Sequence, residues 1–352
     1  MKTLVIGPSW VGDMMMSQSL YRTIKANNPE AEIDVMAPAW CRPLLDRMPE
    51  VTQALAMPLG HGALELGERR RLGIALRKEA YQQAFVLPNS FKSALVPFFA
   101  AIPKRTGWRG EMRYGLLNDL RTLDKAAFPL MVQRYAALGY PAAQIKSAAD
   151  LPPILWPKLS VNQTEITTVK ESFALTGERP LIGFCPGAEF GPAKRWPHYH
   201  YASLAAMLIE AGYQIVLFGS NKDHAAGEDI RQLLSPDAVD YCLNIAGKTT
   251  LDQAVVLIAS CQAVVSNDSG LMHVAAALDK PLVALYGPSS PDFTPPLSHQ
   301  ARVIRLISGY HKIRKGDAAE GYHQSLIDIQ PTQVFSELQQ LLEPQKEQEC
   351  GF

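Results

Sequence analysis

Asp268-Ser269-Gly270, with His273 three residues on, is the stretch of this chain whose residue types and spacing most directly suggest binding chemistry. A short β-branched run, Ala263-Val264-Val265, precedes it, and from Leu271 the pattern turns helical. A strand that ends in a polar turn and opens a helix leaves the first N–H groups of that helix unpaired, and those groups form an anion site. Asp268 and Ser269 are good N-cap residues, and Gly270 lets backbone come close to a ligand. His273, one turn in, is expected to face the same mouth. An ordinary capped turn has this composition too, so the stretch takes its meaning from three companions. The run Leu181–Cys185 leads into Pro186-Gly187-Ala188 and then delivers Lys194 and Arg195 before Trp196-Pro197. Gln214–Phe218 leads into Gly219-Ser220-Asn221-Lys222-Asp223, where an acid can accept hydrogen bonds from ribose hydroxyls. Tyr241–Ile245 leads into Ala246-Gly247-Lys248-Thr249. Together the four turns suit a nucleotide diphosphate: cations and helix N-termini for the phosphates, an acid for the ribose, backbone for the base. Lys194 and Arg195 are adjacent, and either can be the main phosphate ligand.

The first half of the chain carries different chemistry. Gly7-Pro8-Ser9-Trp10-Val11-Gly12-Asp13 is a tight turn into a helix, and only loosely resembles a dinucleotide fingerprint: the third glycine is missing, and Pro8 and Trp10 occupy positions that need open backbone. Asp13 there is either a favourable charge on the helix dipole or a general base pointing into a cleft. Pro103 to Tyr114 interleaves Lys104, Arg105, Arg109 and Arg113 with Trp108 and has little periodicity, so an exposed loop is expected. It reads either as solvated surface or as a site for phosphates or sugar carboxylates flanked by aromatic surface.

Strand and helix patterns alternate through both halves, the signature of parallel doubly wound sheets. Leu151-Pro152-Pro153-Ile154-Leu155-Trp156-Pro157 is the clearest linker, because three prolines in six residues exclude helix and interior strand. The expected domains are residues 1–155 and 156–330, each a doubly wound α/β unit. A C-terminal helix, Pro331–Leu342, and a polar tail then fill 331–352, the helix being free to pack back on the first domain. Such an architecture puts the carboxyl ends of two sheets across one cleft.

Composition sets the outer limits. With 352 residues, 47% apolar and 19% charged, the chain can fill two ordinary cores. The N-terminal apolar run is too short for a signal peptide or a membrane span, and five scattered cysteines form neither a disulfide framework nor a zinc site; a cytoplasmic location is expected. Residues 1–155 hold 19 Lys and Arg against 13 Asp and Glu, a net of +6, and the remainder 15 against 21, a net of −6. That asymmetry points to an anionic partner for the first domain; a nucleic acid is not expected.

Pro186-Gly187-Ala188, Lys194-Arg195-Trp196-Pro197, Asp268-Ser269-Gly270-Leu271-Met272-His273 and Tyr286-Gly287-Pro288-Ser289 resemble the motifs of the lipopolysaccharide heptosyltransferases, glycosyltransferase family 9. The resemblance spans nearly the whole chain. It implies an α/β GT-B architecture with two Rossmann-like domains facing across a cleft, 1–155 binding the acceptor and 156–330 the nucleotide sugar. It also implies inverting transfer of L-glycero-D-manno-heptose from ADP-heptose to the first heptose of the lipopolysaccharide inner core. The acceptor would be heptosylated Kdo2-lipid A, met peripherally at the cytoplasmic face of the inner membrane. The family's cation falls on Lys194, its ribose acid on Asp223 and its base-framing position on Thr249. Its phosphate turn falls on Asp268 to Gly270 beside His273, its catalytic acid on Asp13, and Ala188 and Gly219 complete the donor set. Ser90, Lys92, Arg105, Arg109 and Arg113 are the candidate acceptor contacts. Lys194 and a helix N-terminus can meet the departing diphosphate without a metal. No cofactor is therefore expected, and Mg²⁺ is helpful rather than obligatory. Another GT-B activity (a different sugar transfer or an epimerisation) and a non-catalytic nucleotide-binding module are the alternatives.

Overall fold

The computed structural model describes residues 1–60, 62–189, 191–309, 313 and 316–343. The polar tail beyond Glu343, with Cys350, and Phe190 in the loop after Cys185 lie outside the described residues. Met1–Leu159 together with Asp292–Thr294 forms one compact unit, and the rest of the described chain from Ser160 onward forms the other.

The first unit is built on β1 (Lys2–Ile6), β2 (Glu32–Ala37), β3 (Gln53–Ala56), β4 (Gln83–Val86), β5 (Lys104–Trp108) and β6 (Asp119–Arg121), in the spatial order β3-β2-β1-β4-β5-β6. The second is built on β7 (Leu181–Cys185), β8 (Gln214–Leu217), β9 (Cys242–Asn244), β10 (Ala263–Asn267), β11 (Leu282–Tyr286) and β12 (Ala301–Arg305), in the order β12-β11-β10-β7-β8-β9. Every pairing is parallel. Counted from the first strand of each sheet, the two orders are the same doubly wound one, and each has a switch point where ligands of such sheets bind: between β1 and β4, and between β7 and β10. Strands β7, β10 and β11 are buried along their whole length, which is why they read as unbroken apolar runs.

Three expectations need correction. Pro103–Tyr114 is not one exposed loop: Lys104–Trp108 is the interior strand β5, with Thr106, Gly107 and Trp108 buried. The periodicity is missing because Gly107 cannot carry a side chain there; a Cβ would come 2.9 Å from Leu117 and 3.0 Å from the Val86 carbonyl. The final helix, Pro331–Leu342, does not leave its unit: Val334 and Leu338 are fully buried in the second core with Ile182, Phe184 and Trp196. The proline segment is likewise tied to the first unit. Gln18 donates to the Lys158 carbonyl at 2.9 Å and accepts from the Lys158 N–H at 2.9 Å, and Arg22 donates to the Trp156 carbonyl, so the unit runs on to Leu159.

Candidate functional site

The carboxyl edge of the second sheet gathers the expected donor residues. Helix Gly270–Ala277 follows β10 directly, and Ser269 caps it, its Oγ accepting from the Met272 N–H at 3.3 Å. Lys194, on a short turn after β7, places Nζ 2.9 Å from Asp268 Oδ2. Arg195 places Nη2 3.4 Å from Asp223 Oδ1, and its Nε is buried with no hydrogen-bond partner among the described residues. Both cations are therefore half-buried and carboxylate-held at the switch point, where an anion can compete for them.

Asp223 is committed on one side. Its Oδ2 accepts from the Ser220 N–H at 2.9 Å and the Ser220 hydroxyl at 2.7 Å, closing the turn after β8. Oδ1, with only the long Arg195 contact, keeps acceptor capacity. Gly187 and Gly219 wall this carboxyl in: a Cβ at Gly187 would lie 2.5 Å from Asp223 Cγ, and one at Gly219 2.7 Å from its Cβ. The turn after β9 is drawn to the same edge by the Gly247 N–H donating to the Gly219 carbonyl at 3.0 Å, which brings half-exposed Thr249 with it. Ala188 is buried at the base of the first loop. His273 lies deeper than expected. It is buried, and desolvation lowers its pKa to about 4 against the opposing pull of Asp268, so it is neutral and offers no charge to a ligand.

Asn267 is the functional residue that sequence reasoning passed over. Fully buried, it donates to the Pro186 carbonyl at 2.7 Å and accepts from the Trp196 N–H at 3.0 Å and the Tyr201 hydroxyl at 3.2 Å. One side chain thus locks the β7 loop to the end of β10 and fixes where Lys194 stands. Its signal was an amide closing an apolar strand. Ser289, which closes the motif Tyr286-Gly287-Pro288-Ser289 after β11, is buried, with an Oγ that has no partner among the described residues.

In the first unit, Asp13 is the third residue of helix Val11–Asn27 and is half-buried at the carboxyl end of β1. The fully buried Tyr135 lies in its field; burial chiefly, and Asp13 next, hold that phenol well above its usual pKa. Ser90 and half-buried Lys92 follow β4, the neighbour of β1 across the switch point. The three arginines separate. Arg109 is exposed just past the carboxyl end of β5. Arg105 sits near the opposite, amino end of that strand, its Nε donating to the Leu116 carbonyl at 2.6 Å and its guanidinium 5.7 Å from the Phe98 ring centre. Arg113 is 0% exposed. It donates to the Pro88 carbonyl at 2.6 Å, Ser93 Oγ at 3.2 Å, Asn89 Oδ1 at 3.2 Å and the Trp108 carbonyl, and burial pulls its pKa down to about 10. Arg105 and Arg113 are braces held on protein acceptors, Arg113 wholly buried, and the expectation that they meet an acceptor is corrected.

Residues 69–323 match the sequence profile of glycosyltransferase family 9 (heptosyltransferase). Lipopolysaccharide heptosyltransferase 2 of Escherichia coli K12 is 71% identical over 343 residues, 97% of this chain and 99% of the relative. Lipooligosaccharide heptosyltransferase 2 of Haemophilus ducreyi is 62% identical over 349 residues, again 97% and 99%. The solved structure of E. coli ADP-heptose lipopolysaccharide heptosyltransferase II superposes with a TM-score of 0.91 at 66% identity, covering 97% of this chain and 98% of that one. The shared fold is GT-B, a pair of doubly wound α/β units. This chain belongs to glycosyltransferase family 9, the heptosyltransferases, and is a glycosyltransferase.

Proposed function

We propose that the enzyme moves L-glycero-D-manno-heptose from ADP-heptose onto the first heptose of the lipopolysaccharide inner core, with inversion. The observation that carries the donor half is the pair of carboxylate-held cations, Lys194 with Asp268 and Arg195 with Asp223, at the switch point of the second sheet. The diphosphate draws Lys194 and Arg195 from their carboxylates and meets the capped helix after Ser269. Strands lie about 4.8 Å apart, so the step from β7 to β8 and on to β9 measures out a nucleoside: ribose at Asp223 Oδ1, base at Thr249.

Asp13 takes the proton from the attacking acceptor hydroxyl as the new glycosidic bond forms and the bond to the β-phosphate breaks. The electron pair leaves on ADP, whose charge Lys194 and the helix N-terminus stabilise, so that no divalent ion is obligatory. Turnover in excess chelator checks this. Lys92, Ser90 and Arg109 contact the acceptor, heptosylated Kdo2-lipid A, at the cytoplasmic face of the inner membrane. Among the described residues no helix is long and apolar enough to cross a membrane, consistent with peripheral attachment.

Asp13→Asn is the decisive experiment, because it keeps shape and capping ability while removing the proton acceptor. The expected variant melts and binds ADP as the parent does and loses roughly 10²–10⁴ in kcat. A variant that folds, binds ADP and turns over within about threefold of the parent removes Asp13 as the base.

A further inference from the structure

The chain leaves β12 at Arg305 and enters its last helix only at Pro331. Connections of that length usually carry function. Residues 316–323 close on themselves: the Gly316 N–H donates to the Gly321 carbonyl at 2.9 Å, and the Ala318 N–H to the Tyr322 carbonyl at 3.1 Å. Only glycine fits at Gly316, where a Cβ would overlap the Tyr322 carbonyl, and Glu320 is held at a left-handed φ of 58°. Strain of that kind persists where surrounding contacts over-determine the backbone.

Those contacts fall beside the turn that carries the two cations. Gly321 packs on Pro192 so closely that a Cβ would come 2.8 Å from Pro192 Cγ. Helix His198–Glu210 begins just past Arg195, and the Tyr322 phenol closes its first turn. Tyr322 Oη lies 2.9 Å from His198 Nδ1 and accepts from the His198 N–H at 3.4 Å. The phenol can donate to Nδ1 while it accepts from the N–H, so one hydroxyl serves two groups of the helix end. Glu320 Oε2 lies 3.5 Å from the same Nδ1. Burial chiefly raises the Tyr322 pKa, the His198 N–H opposes it, and the Glu320 and Arg195 charges act in opposite senses, so the cation lies within the field of the phenol.

We infer that Tyr322 is a positioning residue for the transfer reaction: through His198 and Pro192 it holds the turn 192–195 where Lys194 and Arg195 meet the donor's diphosphate. The inference rests on the proposed donor site. Asn267 ties the β7 loop at Pro186 and at Trp196, and the cation-bearing turn projects between those two points. Lys194 and Arg195 must release Asp268 and Asp223 as the phosphates arrive, so the turn gives up two of its ties when its position matters most. The bonds from Tyr322 to His198 involve neither carboxylate and survive that exchange. A turn held in place before the ligand arrives spares the ordering cost of binding.

The test uses the full chain and two variants. Tyr322→Phe keeps the ring and removes the hydroxyl, and Gly321→Ala reaches the same turn by setting a methyl against Pro192. Tyr199→Phe is the control, a more exposed ring 6.3 Å from that of Tyr322. Both variants are expected to bind ADP at least about fivefold more weakly than the parent by calorimetry, and to lose kcat/KM for ADP-heptose in the same measure. Their affinity for adenosine, read by ligand-observed NMR, stays parental, and the control is parental throughout. The deciding readout is a cycle: in a Lys194→Ala, Arg195→Ala background, Tyr322→Phe costs no further ADP affinity, because the side chains it positions are gone. Melting curves identify a variant that has not folded, and the other variant then decides. Equal weakening of ADP and adenosine, or the same loss with and without the two cations, makes Tyr322 a support of the fold alone and overturns the inference. So does parental ADP binding by folded Tyr322→Phe. A parent that binds ADP no more tightly than adenosine is the separate failure of the donor reading.

Discussion

A lysine held 2.9 Å from an aspartate at the mouth of a helix has two anionic claimants, its carboxylate and an incoming phosphate. Lys194→Ala is expected to lower kcat/KM for ADP-heptose by the worth of a charge-assisted hydrogen bond, about 1.5–3 kcal/mol, and steady-state kinetics with ADP binding by calorimetry will measure it. Arg109 and Arg113 make a contrasting pair. Arg109→Ala should raise acceptor KM and leave the melting temperature in place. Arg113→Ala should lower the melting temperature, since the buried Ser93 hydroxyl and Trp108 carbonyl lose their donor at a cost of about 1–3 kcal/mol for each group left unpaired. His273 sets a pH dependence. Its folded pKa of about 4 lies below the unfolded value, so the unfolded chain binds a proton that the native state refuses. Stability is full above the unfolded pKa and falls as the pH drops through the window down to about 4, by at most ~3 kcal/mol. His273→Gln should remove that part of the slope, as read from urea denaturation at about pH 7.5 and about pH 5.

At the scale of elements, the turns after β7 and β8 hold the site together through the space they exclude. Gly187→Ala and Gly219→Ala each drive a methyl against Asp223, whose side chain is pinned by Ser220. Overpacking of that kind costs about 1–3 kcal/mol and should weaken ADP binding along with stability, which melting with and without ADP will separate. The same elements explain what could be read from the sequence. β7 and β11 were legible to the residue, because burial on both faces writes an uninterrupted apolar run; the start of β10 was legible but its last two residues, Ser266 and Asn267, read as the turn, and the helix after Ser269 begins one residue before the Leu271 expected. β6 and β12 were not legible: three residues in one and a single buried position, Ile304, in the other give no run to find. β5 was hidden by Gly107 and by arginines whose charges are spent on carbonyls. Asp292–Thr294 belongs with the first unit, where the Phe293 carbonyl accepts from the Met131 N–H at 3.0 Å and Arg134 stacks 4.6 Å over the Phe293 ring. Pro291 and Pro295 bracket that excursion, but proline punctuation marks a break without saying where the chain goes.

For the whole molecule, the proposed donor and acceptor chemistry divides between two units of one topology. Saturating ADP should slow amide exchange in the turns after β7, β8, β9 and β10 and leave those after β1 and β4 unchanged, a difference that hydrogen-exchange mass spectrometry resolves. The shared strand order also governs how the protein is made. At each switch point the neighbouring strands are about 80 residues apart in sequence, Thr3 beside Gln83 and Ile182 beside Ala263, so closing that pair carries the largest loop entropy in the sheet. Parallel, non-local pairing is slow to form. The β7–β9 and β10–β12 halves can each assemble from nearer neighbours, and only their docking brings Lys194 to Asp268. In refolding from denaturant, recovery of ADP binding should therefore trail the recovery of helical signal: the crevice proposed for the nucleotide is the seam that the chain closes last.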